Sequence, residues 1–577
     1  MLSKHPLPPL WLGLWVPLLA IAWVMPNHYF PWPAFHTDAW VAIMLAIAAA
    51  AVLIRSTAPV AWHGIAVAMA LLAAVPFVQF ATGLLPFSGQ AWLYTAFVLG
   101  LLMALLVGAR WEAATPGRAA DGLFLAIGIA ALASVGMQLR QWFGLADDGI
   151  EMTIWTAEFT PGRPSANLGQ PNQLATLLLW AVLGCAWAVV RKQARTGYAV
   201  VATMFLLFGV VLTQSRVAFI AILLITLCAW IWRRLLPSRG PWVVTLLCIY
   251  FVVCALSLQY LSDLFGLDVQ IRSVTLGGGS TELRLKSYRL FLDAVAQQPW
   301  WGYGWDQLAV AQLAVAEKHG TLSSFFLHSH NLFLDLVLWC GIPIGGTVVL
   351  VLLGWLLRAV WRVDSREDMV LVLFLLVIGL HAMVELPLHY AYFLLPTGLV
   401  MGMLNQRQRR WVAWSSSRWG VLVLWLGTSV LLGIIVRDYL RVDSSFRTFR
   451  LDAARIGTQP PGLPPDVLVL NHMREFIVNA RLDVQPTISE AELEKLRHLT
   501  TSFPNPSNLF NFAKALAFRH QPEAAAMWIA KAQKVQPAEF NLDMRRAWKA
   551  QSASQPAMAA VKWPDAETAV APSAKNP

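Results

Sequence analysis

The residues best placed to move a proton stand at Leu327-His328-Ser329-His330-Asn331, just before an apolar run over about 332–357. An imidazole titrating near neutrality is a natural general base for a hydroxyl, which makes His330 the candidate catalytic residue, with His328 and Asn331 beside it. The same residues also suit a plain helix cap at a membrane interface. Burying His330 and Asn331 beside lipid is costly without partners, so either reading requires a supporting network.

Four further polar groups could join such a base. Arg216 follows Thr213-Gln214-Ser215 at the end of an apolar stretch, and Arg284 and Arg289 flank Lys286 on a short amphipathic segment. A guanidinium fork matches phosphate oxygens two at a time, so Arg216 with Arg284 would suit a diphosphate, with Arg289 nearby. The alternatives are an interfacial anchor for Arg216 and a solvated or headgroup-facing surface for Arg284 and Arg289. Arg163 to Gln173 carries Gln170 and Asn172, either a helix cap or a comb of amides for sugar hydroxyls. Glu385-Leu386-Pro387-Leu388-His389-Tyr390-Ala391-Tyr392 sets Glu385 beside Tyr390 and Tyr392, in what could also be an ordinary aromatic belt. No phosphate-binding glycine loop, zinc pair or nucleophile elbow is present. The acids Asp147, Asp148, Glu151 and Glu158 are scattered along one loop and give only a weak metal pattern, so no metal or other cofactor is expected.

The elements that must position these groups are membrane helices. Of 577 residues 57% are hydrophobic and 13% charged, against roughly 25% charged in soluble domains. The expected fold is an all-α polytopic membrane protein. Thirteen segments reach the length that crosses a core of about 30 Å: 10–25 (a retained first span), 38–54, 60–80, 91–109, 120–143, 168–190, 197–213, 216–235, 241–260, 331–357, 369–386, 388–405 and 419–436. Basic residues fall in alternate loops, at Lys4, Arg55, Arg110 with Arg118, Arg191 with Arg195, Arg233 to Arg239, Arg358 with Arg362, and Arg407 with Arg409. Placing them all inside puts the N-terminus in the cytoplasm, the C-terminus outside, and every candidate site residue on the outer face. The same distribution accounts for much of the +11 net charge and excludes a nucleic-acid partner, since no basic stripe with interleaved aromatics lies outside. The five cysteines all lie in apolar runs and are expected to pack.

Residues 1–440 thus form a transmembrane domain with a long outer loop at 261–330, in which 281–297 has helical amphipathicity ended by Gln298-Pro299. From 441 to 551 the chain is polar and helical, after a proline-rich linkage at Gln459-Pro460-Pro461. Ser489 to Glu492 reads as a capping box, and helices near 508–519 and 522–535 resemble one tetratricopeptide-type hairpin. The tail, 552–577, reads as disordered.

His328-Ser329-His330-Asn331, followed by Gly341-Ile342-Pro343-Ile344-Gly345, resembles the signature of the O-antigen ligase/polymerase (Wzy-C) superfamily. Arg216, Arg284 and the Pro299-Trp300-Trp301-Gly302-Tyr303-Gly304 turn resemble that superfamily's arginines and its Pro-x-x-Gly-x-Gly turn. Gly169-Gln170-Pro171-Asn172 and Glu385 to Phe393 are similar to the PglL-type protein O-oligosaccharyltransferases, with His389 standing where many relatives have an aromatic residue. The resemblance implies a bacterial inner-membrane enzyme working on the periplasmic side. It would transfer glycan from undecaprenyl diphosphate to a serine or threonine of an acceptor protein such as pilin. Rival readings are an O-antigen ligase acting on lipid A-core, a polymerase joining repeat units, and a flippase for lipid-linked glycan. A flippase predicts polar residues at mid-membrane in several spans and inverted repeats, and neither is seen.

Overall fold

The computed structural model describes residues 9–564, apart from 56–57, 146–161, 268–278, 320–321, 323, 410, 455, 457–462 and 483. The acidic loop residues Asp147, Asp148, Glu151 and Glu158, the centre of the proline-rich linkage and the far tail lie outside the described residues. The described residues are almost entirely helical, and each of the thirteen apolar segments read from the sequence contains helix, although 60–80 opens with a short strand. Among the described residues eight helices are long and apolar enough to cross a membrane, including Phe35–Arg55, Ser88–Ala114, Arg118–Trp142, Pro171–Val190 and Leu332–Trp361. The apolar helices Trp11–Trp23, Thr196–Leu212 and Arg216–Ile231 are shorter. All five cysteines are free.

The sequence reading missed one piece of sheet. Val60–His63 pairs antiparallel with Val412–Ser416, and Trp62 faces Trp414 across the ladder with ring centroids 5.3 Å apart. Four residues before a long apolar helix give too short an alternation to separate from the helix itself.

The chain divides into two compact units. The first comprises Met1–Ala74, Thr95–Thr275 and Leu350–Arg437. Its helices pack through small residues: a Cβ on Gly402 would fall 2.2 Å from the Leu105 carbonyl and one on Gly108 2.1 Å from that of Leu399. Such close backbone approach is how helices associate where lipid removes the hydrophobic drive between them. At the basic end of this unit Arg407 pairs with Glu112 (2.8 Å), Glu367 (2.6 Å) and Asp368 (2.5 Å), and Arg191 with Asp121 (3.3 Å) and Glu367 (3.0 Å).

The second unit comprises Val75–Tyr94, Leu276–Val349 and Asp438–Pro577. The amphipathic segment is the helix Gly279–Gln297, which buries Ser287, Leu290, Phe291 and Ala294 and packs on Leu308–Val315 and Leu332–Gly341. Ser489 and Glu492 close a capping box at the start of Glu490–Ser502, as their spacing predicts. The hairpin is Pro506–Phe518 with Pro522–Val535. It does not stand alone, because Leu313 and Ala316 share its core and Lys531 pairs with Glu317 at 3.3 Å. Ordered structure runs past Ser552: Pro556–Ala559 is helical, and Met558 is fully buried and accepts the Trp548 indole N–H at 3.3 Å.

Candidate functional site

In the second unit, Asn331 is the N-cap of Leu332–Gly341, its Oδ1 accepting the Phe333 and Leu334 N–H groups at 3.0 and 3.1 Å. One turn on, Asp335 reaches back and accepts the Ser329 N–H at 2.9 Å, while the Ser329 hydroxyl donates to the Asn331 carbonyl at 3.0 Å. Ser329 and Asp335 are each 1% exposed, so the knot is sealed from water. Between them His330 adopts φ +61°, a left-handed conformation that side chains with a Cβ avoid. Its ring lies 4.2 Å from that of His328, edge to face, and the Asp335 carboxylate acts on it electrostatically. Asn331 is the cap, and His330 is the residue that the cap and Asp335 hold in a strained pose, a placement typical of functional sites.

The Pro299 to Gly304 turn is fastened to the end of the same helix by main-chain bonds: Tyr303 N–H to the Leu338 carbonyl at 2.8 Å, Gly304 N–H to that of Trp339 at 3.1 Å, and Ile342 N–H to that of Pro299 at 2.7 Å. Gly341 (φ +73°) ends the regular helix, and a wider π turn over Ile342–Gly346 follows. A Cβ on Gly341 would lie 2.2 Å from the Trp300 carbonyl, and one on Gly302 2.5 Å from that of Leu338. The motif glycines are thus demanded by backbone contact. Asn331, Asp335 and Trp339 recur at four-residue spacing and so share a face of the helix.

Two residues that the sequence reading passed over complete this unit. Gln79, 4% exposed, donates to the Trp339 carbonyl (2.8 Å) and accepts the Trp305 N–H (3.0 Å), tying turn to helix. The signal was a lone amide inside an apolar span, which lipid tolerates only with partners. Asp306 also has a left-handed backbone (φ +59°) and accepts the Tyr94 hydroxyl at 3.2 Å. Beside it Trp305 stacks between Tyr94 (6.2 Å) and Trp339 (5.2 Å). Enclosure by protein, eased by the Tyr94 bond and reinforced by the Asp335 charge, pushes the Asp306 carboxyl up to about 7. The residue as a whole is nonetheless exposed to water. Of the helix cations, Arg284 is half-buried while Lys286 and Arg289 are exposed.

The other candidates belong to the first unit. Gln170 takes the capping role, its side chain accepting the Gln173 N–H at 2.7 Å ahead of Pro171. Asn172 donates to Glu385 at 3.4 Å, and the Tyr392 hydroxyl donates to Gln173 at 2.7 Å. Tyr390 and Tyr392 stand 5.3 Å apart, and Ala391 N–H meets Asp38 at 2.6 Å. The two polar segments that the sequence reading singled out, near 170 and near 385, thus form one cluster. His389 sits half-buried in the Pro387–His389 turn. The loop feeding this cluster is pinned by Gln138 and Gln141, buried amides of the Arg118–Trp142 helix. Gln138 donates to the Pro164 carbonyl (3.2 Å), and Gln141 accepts the Ala166 N–H (2.9 Å). Arg216 is the first residue of Arg216–Ile231, capped by Ser215 and preceded by Gln214 at φ +49°. Arg163 fixes that turn by donating twice to the Thr213 carbonyl, at 3.2 and 3.1 Å. Among the described residues no group of histidine, cysteine and carboxylate side chains is arranged to hold a metal.

Comparison with known proteins gives three family matches: residues 164–187 to a family described as protein glycosylation ligase, 199–348 to O-antigen ligase, and 369–551 to the C-terminal part of a virulence factor membrane-bound polymerase. The chain is 27% identical over 546 residues to a general O-oligosaccharyltransferase of Acinetobacter baylyi, covering 92% of this chain and 93% of that protein. It is 31% identical over 249 residues to a ComP-specific O-oligosaccharyltransferase of the same organism, covering 42% and 44%. These matches bear out the resemblance carried by the motifs.

Proposed function

We propose that this chain, a multi-pass membrane oligosaccharyltransferase of the PglL kind within the O-antigen ligase superfamily, moves an oligosaccharide from undecaprenyl diphosphate to a serine or threonine hydroxyl of a periplasmic protein such as pilin. The observation that carries the reading is His330, locked between the Asn331 cap and the Asp335 carboxylate in a strained backbone at the mouth of an apolar helix.

In this mechanism His330 takes the proton of the acceptor hydroxyl as its oxygen attacks the anomeric carbon. The bond from that carbon to the diphosphate oxygen breaks, the electron pair leaves with undecaprenyl diphosphate, and the sugar inverts. Arginine neutralises the departing charge: Arg284 and Arg216 by the roles the motif resemblance implies, with Arg289 in support. Guanidinium groups can do this without a metal. Gln170, Asn172, Glu385, Tyr390 and Tyr392 supply amide, carboxylate and phenol groups for glycan or acceptor, with His328 and Asn331 supporting the base. The charge rule supports chemistry on the face away from the cytoplasm, and the resemblance implies that this is the periplasmic side of the inner membrane.

The test is expression in a host that makes a defined lipid-linked glycan, with and without a pilin acceptor. The expected result is a mobility shift of the pilin that His330→Ala abolishes at normal expression. Glycan appearing on lipid A-core would make the chain an O-antigen ligase instead, and normal turnover by His330→Ala would remove the base assignment. Arg284→Lys and Arg216→Lys should each raise the donor KM, because the fork is lost. Unchanged KM in both would exclude these arginines from the diphosphate site.

A further inference from the structure

Within the first unit, a cavity of about 390 Å³ opens among five helices, at the ends that carry the basic residues. Its walls come from Pro171–Val190, Thr196–Leu212, Arg216–Ile231, Gly240–Leu264 and Arg366–Ala382, and they are overwhelmingly apolar, with small residues such as Ala186, Ala199 and Ala229 leaving the space. The lining turns cationic only at one end, where Arg239 and Arg366 contribute. Both arginines are exposed. Arg366 spends one donor on the Leu235 carbonyl (2.5 Å), and Arg239 has no hydrogen bond or ion pair among the described residues. Arg233 and Arg234, also exposed, precede the same turn. Of the carboxylates next to Arg366 in the chain, Glu367 and Asp368 are engaged by Arg191 and Arg407, which leaves the exposed Asp364 against Arg233, Arg234, Arg239 and Arg366.

We infer that this cavity is a binding site for an anionic glycerophospholipid of the cytoplasmic leaflet, one acyl chain in the apolar chamber and the phosphate at Arg239 and Arg366. An apolar space with cations at a single end fits a molecule that is greasy along its length and negative at its head. Basic pockets between membrane helices on the cytoplasmic side are where such headgroups bind. The charge rule puts this end of the five helices on that side. A zwitterionic lipid would fill the chamber equally but leave the arginines uncompensated. The inference is independent of the glycan chemistry proposed above.

The experiment is native mass spectrometry of the delipidated full-length protein in detergent, titrated with phosphatidylglycerol and with phosphatidylcholine of identical acyl chains. Wild type should hold one phosphatidylglycerol at least tenfold more tightly than phosphatidylcholine. Arg239→Ala, a change at an exposed residue, should cut that preference at least threefold without altering phosphatidylcholine binding. Ala186→Phe, at an exposed position of the lining, should weaken both lipids by filling the chamber. Equal affinity of wild type for the two lipids, a preference untouched by Arg239→Ala, or binding undiminished by Ala186→Phe would each overturn the assignment.

Discussion

Replacing Asp335 tests whether the strain at His330 is held in place by the knot around it. The carboxylate accepts the buried Ser329 N–H at 2.9 Å, and a hydrogen bond to a charged group contributes about 1.5–3 kcal/mol. That is enough to offset the ~1–2 kcal/mol by which a left-handed residue with a side chain is disfavoured. With Asp335→Ala the loop relaxes, Ser329 N–H loses its partner, and His330 leaves its pose for most of the time. Since each 1.36 kcal/mol is tenfold in rate, turnover should fall about 10- to 150-fold. Asp335→Asn keeps an acceptor for Ser329 and loses only the charge acting on His330, so it should lie between wild type and the alanine variant. The assay is glycan transfer at saturating donor and acceptor by enzyme in membranes, normalised to folded protein, with His330→Ala as the inactive reference. Turnover by Asp335→Ala within threefold of wild type would refute the account of how His330 is held.

Other outcomes follow from the same geometry. The Asp306 carboxyl titrates near 7, above the 3.8 of an unfolded chain, so its share of stability is full below about 3.8 and is lost as pH rises through about 7. Thermal unfolding in detergent should show that loss in wild type, and Asp306→Asn should flatten it; an identical pH dependence in the variant would exclude Asp306 as the source. Gly341→Ala forces a Cβ to 2.2 Å from the Trp300 carbonyl at a left-handed residue, and should cost several kcal/mol by the usual scale of core overpacking and backbone strain. A melting temperature unchanged by Gly341→Ala would mean that the turn is not fastened there. Incubation with EDTA should leave transfer unaltered, because the proposed mechanism neutralises the leaving group with arginine alone. Reversible loss of activity would bring the acids of the 147–158 loop into the chemistry.

Much of the architecture was legible because the bilayer imposes one period and one length on the chain. Every apolar run of about twenty residues became helix over most of its length, and Ser489 with Glu492 announced a helix start through a local bond pattern that needs no tertiary context. The His330 motif and the polar segments near 170 and 385 were also visible, since titratable and amide groups beside lipid require partners, but not that the two segments partner each other. Gln79, Gln138 and Gln141 were missed for the opposite reason. Each is a single amide in an apolar helix, and its meaning lies in main-chain groups that only folding brings to it. Asp306 was hidden because its neighbour Tyr94 is 212 residues away. The ribbon at Val60–His63 was invisible because its partner strand is about 350 residues distant.

The turn beside the helix interruption is gripped through peptide groups and through the bareness of Gly302, Gly304 and Gly341. Nothing in that grip depends on which side chains stand at 300 or 301, both of which are exposed. Those two positions can therefore be exchanged wholesale while the scaffold around His330 stays put, which makes the turn a natural cassette for diversification.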